Sequence, residues 1–158
     1  MTDGRSQRSR SFLTPPAWAV PWITRVNVWT YRRSGGRVGS ASAGMRNVMV
    51  TTVGRRSGDH HTVVLPYWLD DRGHRIVVAS YLGGPRHPAW FHNLADHQAN
   101  PYVAVLDRDE RFRARAVVLD GAERDEVWAA LIADRPFYAD YQAKTDRVIP
   151  LVRLVPLG

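Results

Sequence analysis

The runs NVMVTTV (residues 47–53), HTVVLPYWL (61–69) and HRIVVASYL (74–82), separated by GRRSGD (54–59) and DDRG (70–73), decide the fold. Val, Ile and Thr are stiff at χ1 and pack well on a pleated surface, whereas Gly, Asp and Ser reverse the chain. Apolar runs of this length divided by turn residues predict antiparallel strands joined as a meander. Further along, YVAVLD (102–107) and FRARAVVLD (112–120) flank a short polar turn and predict another hairpin, and VIPLVRLVP (148–156) predicts a last strand. Between the two groups, Pro88 precedes AWFHNLADHQ (89–98), where Trp90, Leu94 and His97 fall toward one helical face before Asn100-Pro101 stops it. GAERDEVWAALIA (121–133) predicts a short amphipathic helix with acids near its start and Val127 and Leu131 as core candidates. The expected class is α+β, built around a small antiparallel barrel.

Upstream of the strands the texture differs. Residues 1–11 are polar, basic and serine-rich and predict a disordered tail. Residues 12–45 predict a short aromatic helix, on the spacing of Trp22, Val26 and Trp29, followed by the glycine-rich loop SGGRVGSASAG (34–44). Residues 46–158 then form the barrel domain. Trp18, Trp22, Trp29 and Tyr31 crowd around Pro15, Pro16 and Pro21. Such aromatics suit a membrane interface, a lid over a pocket, or a plug at the end of a barrel.

At 158 residues the chain suits one domain. Its formal charge of +7 calls for an anionic partner, whether phosphates on a small molecule, a nucleic acid or an acidic membrane surface. Much of that charge is clustered at Arg5, Arg8 and Arg10, at Arg32 and Arg33, and at Arg55 and Arg56. With no cysteine, disulfides, thiolate chemistry and zinc-thiolate or iron–sulfur sites are excluded. No apolar run approaches the roughly 20 residues of a spanning helix, and no signal-peptide pattern opens the chain, so a cytoplasmic protein is expected. Nucleic-acid binding is disfavoured, because the strands are aliphatic and the tryptophans lie in the proline-rich segment. The GxxxxGK[ST], HExxH and GxSxG patterns are all absent, and the histidine spacings do not suit a metal, so no metal site is expected.

Two short clusters can carry chemistry. In Gly54-Arg55-Arg56-Ser57-Gly58, glycines let backbone N–H groups face a concave turn and arginines supply forked donors that match phosphate oxygens. The pentapeptide reads either as an anion site or as a solvated hairpin turn. In Ala79-Ser80-Tyr81-Leu82-Gly83-Gly84, small residues and a hydroxyl at a strand end permit a flat ring to approach and to be hydrogen-bonded.

Taken in order, GRRSG, VVASYLGG, PAWFHNL with Asn100-Pro101, and PFYADYQAKTDRVIP resemble the deazaflavin-dependent nitroreductase family of actinobacterial proteins, over Asn47 to Pro150. The resemblance implies a split β-barrel with short flanking helices, related to flavin-binding pyridoxamine-phosphate-oxidase-like barrels. It implies bound coenzyme F420, with FMN as the alternative, and hydride transfer to a small-molecule acceptor such as a quinone, enone or nitro compound. Carried over by position, Arg55, Arg56, Ser57 and Gly58 would hold phosphate or tail carboxylates, with His61, Val64 and Pro66 on the following strand. Ala79, Ser80 and Tyr81 would line the ring, and Ala89, Trp90, Phe91 and Asn93 would pack on and bond the phosphate-bearing chain. Ser80, Tyr138 and Tyr141 would donate to the acceptor as the catalytic hydroxyls. His61 stands where the family commonly has an arginine, Val64 where a proline is frequent, and Arg135 where other members have a tyrosine. Asp96 to Gln98 are extra residues. Other readings are an FMN- or haem-binding barrel, or a non-catalytic F420 carrier or membrane-surface binder. A homodimer and peripheral membrane contact through the N-terminal segment are further expectations.

Overall fold

In the computed structural model, residue 16, residues 18–36 and residues 44–158 are described; the expected tail (1–11) and residues 37–43 of the glycine-rich loop lie outside them. Helix α1 (Val20–Arg33) precedes strands β1 (Arg46–Val53), β2 (His60–Leu69) and β3 (Arg75–Val78). Helix α2 (Ala89–Ala95), the hairpin β4 (Val103–Asp107) and β5 (Glu110–Val118), helices α3 (Gly121–Asp134) and α4 (Phe137–Ala143), and β6 (Leu151–Pro156) complete the chain. The strands pair antiparallel in the order β1-β2-β3-β6-β5-β4, and β4 returns to β1 to close the barrel. The expected barrel class is thereby observed.

Strand alternation builds two cores. Val48, Val50, Leu65, Val77, Val105 and Leu154 fill the barrel interior, whereas Ile76, Val78, Leu131, Tyr138, Ile149 and Leu151 pack beneath α3 and α4. Successive strand residues point to opposite faces, so Ile76 and Val77 belong to different cores. A strand covered on both faces reads as a continuous apolar run, which is why RIVV carries no polar alternation. Arg153 ties the layers together: its Nε donates to Asp70 Oδ2 at 2.8 Å and its Nη1 pairs with Glu123 at the start of α3. The buried Arg153 and Asp70 thus keep their charges compensated, with Glu123 joining from the exposed start of α3.

Three elements differ from the sequence expectation. The run HRIVVASYL leaves the sheet after Val78, because Tyr81, Leu82 and Gly83 adopt left-handed backbone at φ 45°, 54° and 80°. The helix expected to reach Gln98 ends at Ala95, where the Asp96 carboxylate accepts the Ala99 N–H and turns the chain. The tyrosine-rich segment forms α4, a helix too short to show an apolar period.

Helix α1 forms where the Trp22, Val26 and Trp29 spacing predicts one, yet that face is open: the three side chains are 65%, 57% and 62% exposed. The helix is instead anchored at its far end by Tyr31, which is 1% exposed. Its hydroxyl lies 3.1 Å from Asn47 O and 3.3 Å from Leu106 O and accepts the Arg108 N–H at 3.0 Å.

Candidate functional site

The turn between β1 and β2 is closed by its own backbone. Gly54 N–H donates to Asp59 O at 2.7 Å, and Gly58, at φ 75°, donates its N–H to Gly54 O at 2.8 Å. Ser57 Oγ accepts the Asp59 N–H and lies 3.4 Å from His61 Nε2. Glycine is needed at 54 for space, since a Cβ there would sit 2.6 Å from Ser57 Oγ and 2.7 Å from His61 Nε2. From α2, Asn93 Oδ1 accepts the Arg55 N–H at 3.3 Å. Behind it, buried Asn100 accepts the Val53 N–H at 2.7 Å and donates to Val53 O and Asn93 O at 2.8 and 2.9 Å, locking the turn to the end of α2. Arg55 and Arg56 are exposed and make no ion pair among the described residues. Two uncompensated guanidiniums beside a hydroxyl can therefore meet an external anion at little competing cost.

These residues form one end of a cleft of about 800 Å³ between the turn, β2, α2 and the first turns of α1, which contributes Pro21, Thr24 and Arg25. An adjoining hollow of about 420 Å³ is lined by Asn27, Val64, Leu65, Tyr81, Arg86, His87 and Pro88. Thr24, Val63, Ala89 and Trp90 belong to both, so the two make one continuous cleft, with Arg25, Arg55 and Arg56 at one end and Val64, Leu65 and Pro88, beside Arg86 and His87, at the other. A separate open groove of about 600 Å³, lined by Arg32, Thr51, Arg111 and Arg113, contains none of the predicted residues.

The cleft brings together Arg55, Arg56, Ser57, His61, Val64, Tyr81, Ala89, Trp90 and Asn93. Gly58 closes the turn beside it. Ala79 is fully buried and Ser80 half-buried at the base of the loop that carries Tyr81. Pro66 lies two residues beyond Val64 on β2, opposite Asn47. Phe91 packs on the barrel core and lines a different shallow groove with Val118 and Pro150. Tyr138 is 3% exposed and its hydroxyl lies 3.6 Å from Met45 Sδ; burial pushes that hydroxyl far above the usual tyrosine range. Tyr141 is half-buried against Phe137 and Tyr138, and burial, followed by the Asp140 charge, raises its hydroxyl as well.

Sequence reading passed over several residues that shape this cleft. Thr24 and Arg25 come from a helix whose sequence signal is the spacing of Trp22, Val26 and Trp29, which does not mark them. Asn100 was visible as a helix stop, but its role in bridging β1 to α2 needs the fold. His87 had no local pattern at all, and neither did Arg147, which binds the loop behind Tyr81.

The family profile described as F420H(2)-dependent quinone reductase matches residues 22–156. An F420H(2)-dependent quinone reductase of Mycobacterium tuberculosis is 31% identical over 136 residues, 84% of this chain and 89% of that protein. A solved structure described as an F420-H2 dependent reductase is 38% identical, with a TM-score of 0.57, over 68% of this chain and 92% of its own. Another, described as a domain-swapped dimer, is 34% identical, with a TM-score of 0.60, over 85% of this chain and 98% of its own. The match spans α1 from Trp22 onward, the barrel and every residue that lines the cleft except Pro21, and the chain belongs to the F420H(2)-dependent quinone reductase family.

Proposed function

We propose that this protein binds reduced coenzyme F420 in the continuous cleft and passes its hydride to a quinone. The observation that carries the reading is the polarity of the cleft. Arg55, Arg56 and Ser57 offer donors for a phosphate at one end, and Val64, Tyr81 and Trp90 offer flat apolar walls for a ring at the other. The residues present fit the group on both counts. When bound, the coenzyme supplies the hydride. The chain's own part is to hold the phosphate end, fix the ring against the acceptor, exclude water, and donate hydrogen bonds to an oxygen that gains negative charge. Ser80 and Tyr141 are the favoured donors. Tyr138, buried against Met45, would need α4 to shift before its hydroxyl met a ligand. Nitro compounds and enones, whose oxygens gain charge in the same way, are secondary acceptors to compare with quinones. The test is steady-state oxidation of reduced F420 with menadione and with a nitroimidazole. Turnover on menadione supports the reading; binding of the coenzyme without turnover on any acceptor would replace it with a carrier role.

The open face of α1 favours a second feature, peripheral contact with an anionic bilayer. Trp18, Trp22, Val26 and Trp29 are exposed, and the guanidiniums of Arg25 and Arg33 stand over the rings of Trp22 and Trp29 at 6.0 and 5.7 Å. Amphipathic rings beside cations suit the headgroup layer. Among the described residues no helix is long and apolar enough to cross a membrane. Flotation with phosphatidylglycerol vesicles that is lost in Trp22→Ser/Trp29→Ser would support the contact; equal flotation of the variant would remove it. Light scattering on a sizing column tests the homodimer.

A further inference from the structure

Arg147 lies between α4 and β6, far in sequence from the loop Ala79–Gly84, and its planar guanidinium is seated against that loop. Its Nη2 donates to Ser80 O at 2.7 Å, its Nη1 to Ala79 O at 3.1 Å and its Nε to Gly84 O at 2.8 Å. Nη1 also lies 2.9 Å from His87 Nδ1, at the edge of the apolar hollow. All four partners are neutral groups, and no carboxylate pairs with Arg147 among the described residues. Its own backbone is fixed from α4, since Gln142 Nε2 donates to Arg147 O at 2.8 Å.

The loop it holds would not keep this shape unaided. Tyr81 and Leu82 sit at φ 45° and 54°, where an L side chain crowds its own backbone. Gly83 follows at φ 80°, and a Cβ there would lie 2.6 Å from Tyr141 O, so the loop is pressed onto α4. The C=O and N–H of one peptide point opposite ways. Gripping Ala79 O and Ser80 O therefore turns the Ser80 and Tyr81 N–H groups away from Arg147. Three carbonyls and an imidazole nitrogen on one planar fork is a task for arginine; a lysine ammonium has neither the plane nor the number of donors.

We propose that Arg147 is a positioning residue for hydride transfer: it fixes the loop that carries Ser80 and Tyr81, and so sets the apolar wall of the cleft. The proposal rests on the reading of the cleft as the F420 site. It acts through the loop, so it governs the geometry of the reacting end and leaves the phosphate turn untouched.

The test uses the full chain as wild type, Arg147→Lys, Arg147→Met, and Arg147→Met combined with Leu82→Gly. Amide exchange without coenzyme comes first. In the wild type, Gly83 and Gly84 N–H donate to Ser80 O and Tyr81 O, both at 2.9 Å, and should be protected; both variants at 147 should lose that protection. With coenzyme, the F420 dissociation constant should stay within about threefold while kcat with menadione falls roughly 10- to 100-fold, the scale of a misplaced reacting group. Lysine should not restore kcat. Leu82→Gly in the methionine background should recover several-fold, because glycine takes left-handed backbone without strain. Should Arg147→Met not fold, Arg147→Lys carries the same comparison. Wild-type protection of Gly83 and Gly84 in both variants, or kcat fully restored by lysine, overturns the proposal. Loss of protection in a chain that binds no F420 would instead overturn the F420 reading and leave the loop assignment standing.

Discussion

The two ends of the cleft are built in opposite ways. The turn Gly54–Gly58 is closed by hydrogen bonds within six residues, and its two guanidiniums make no ion pair among the described residues. The loop Ala79–Gly84 is strained and is held by a guanidinium that lies 67 residues from Ser80 in sequence. The turn keeps its own closure and is fastened to α2 through Asn93 and Asn100, whereas the loop owes its shape to how the segment between α4 and β6 is packed. On the proposed placing of the coenzyme, the difference implies that its affinity and its orientation can be altered separately.

Removing the free cations breaks the local end most directly. Arg55→Ala/Arg56→Ala should weaken F420 binding by about 100-fold, from the loss of two charge-assisted hydrogen bonds, with little effect on thermal stability; a fluorescence titration beside a melting curve reads both. Next is the strap behind that turn. Asn100→Ala leaves the Val53 N–H and C=O without their partners, at a cost of about 2 kcal/mol in folding stability, measured by urea unfolding. A value near zero would mean that the turn does not need the strap.

At the ring end the expected effects are smaller and more selective. Tyr141→Phe should lower kcat several-fold with F420 affinity unchanged, whereas Tyr138→Phe, whose buried hydroxyl meets Met45 Sδ, should stay within about twofold. Equal losses would place both hydroxyls in the acceptor site. The loop should also respond to pH. Burial, then the Arg147 charge, then His92, holds His87 below the ordinary histidine pKa, so its neutral ring accepts from Arg147. A folded pKa below the unfolded value makes this contribution full above about pH 6.5 and lost as pH falls through the folded pKa. Amide exchange at Gly83 and Gly84, followed downward from pH 7, checks it, and His87→Gln should flatten the response.

Much of this fold is legible along the chain. The runs at 47–53 and 61–69 and the turns at 54–58 and 70–73 follow from β-branched residues and glycine alone, because turn chemistry acts over four or five residues. Arg55, Arg56 and Ser57 were legible for the same reason. Ser80 and Tyr81 were legible as a cluster but not as a left-handed loop, since no local pattern says that Arg147 will grip its carbonyls. The spacing of Trp22, Val26 and Trp29 gave a helix without saying which face is buried. Tyr31, two residues beyond, does the anchoring through bonds to β1 and β4 that only the closed barrel brings within reach. Long-range partners of this kind leave no period in the sequence.

The central claim is that the cleft holds a deazaflavin with its phosphate on Arg55 and Arg56. The most direct measurement is a fluorescence titration of wild type and Arg55→Ala/Arg56→Ala with oxidised F420, run beside the same titration with FMN. The account predicts saturable binding that favours F420 over FMN in the wild type and is weakened about 100-fold in the variant. Binding of FMN alone, or F420 binding that ignores the two arginines, would contradict it.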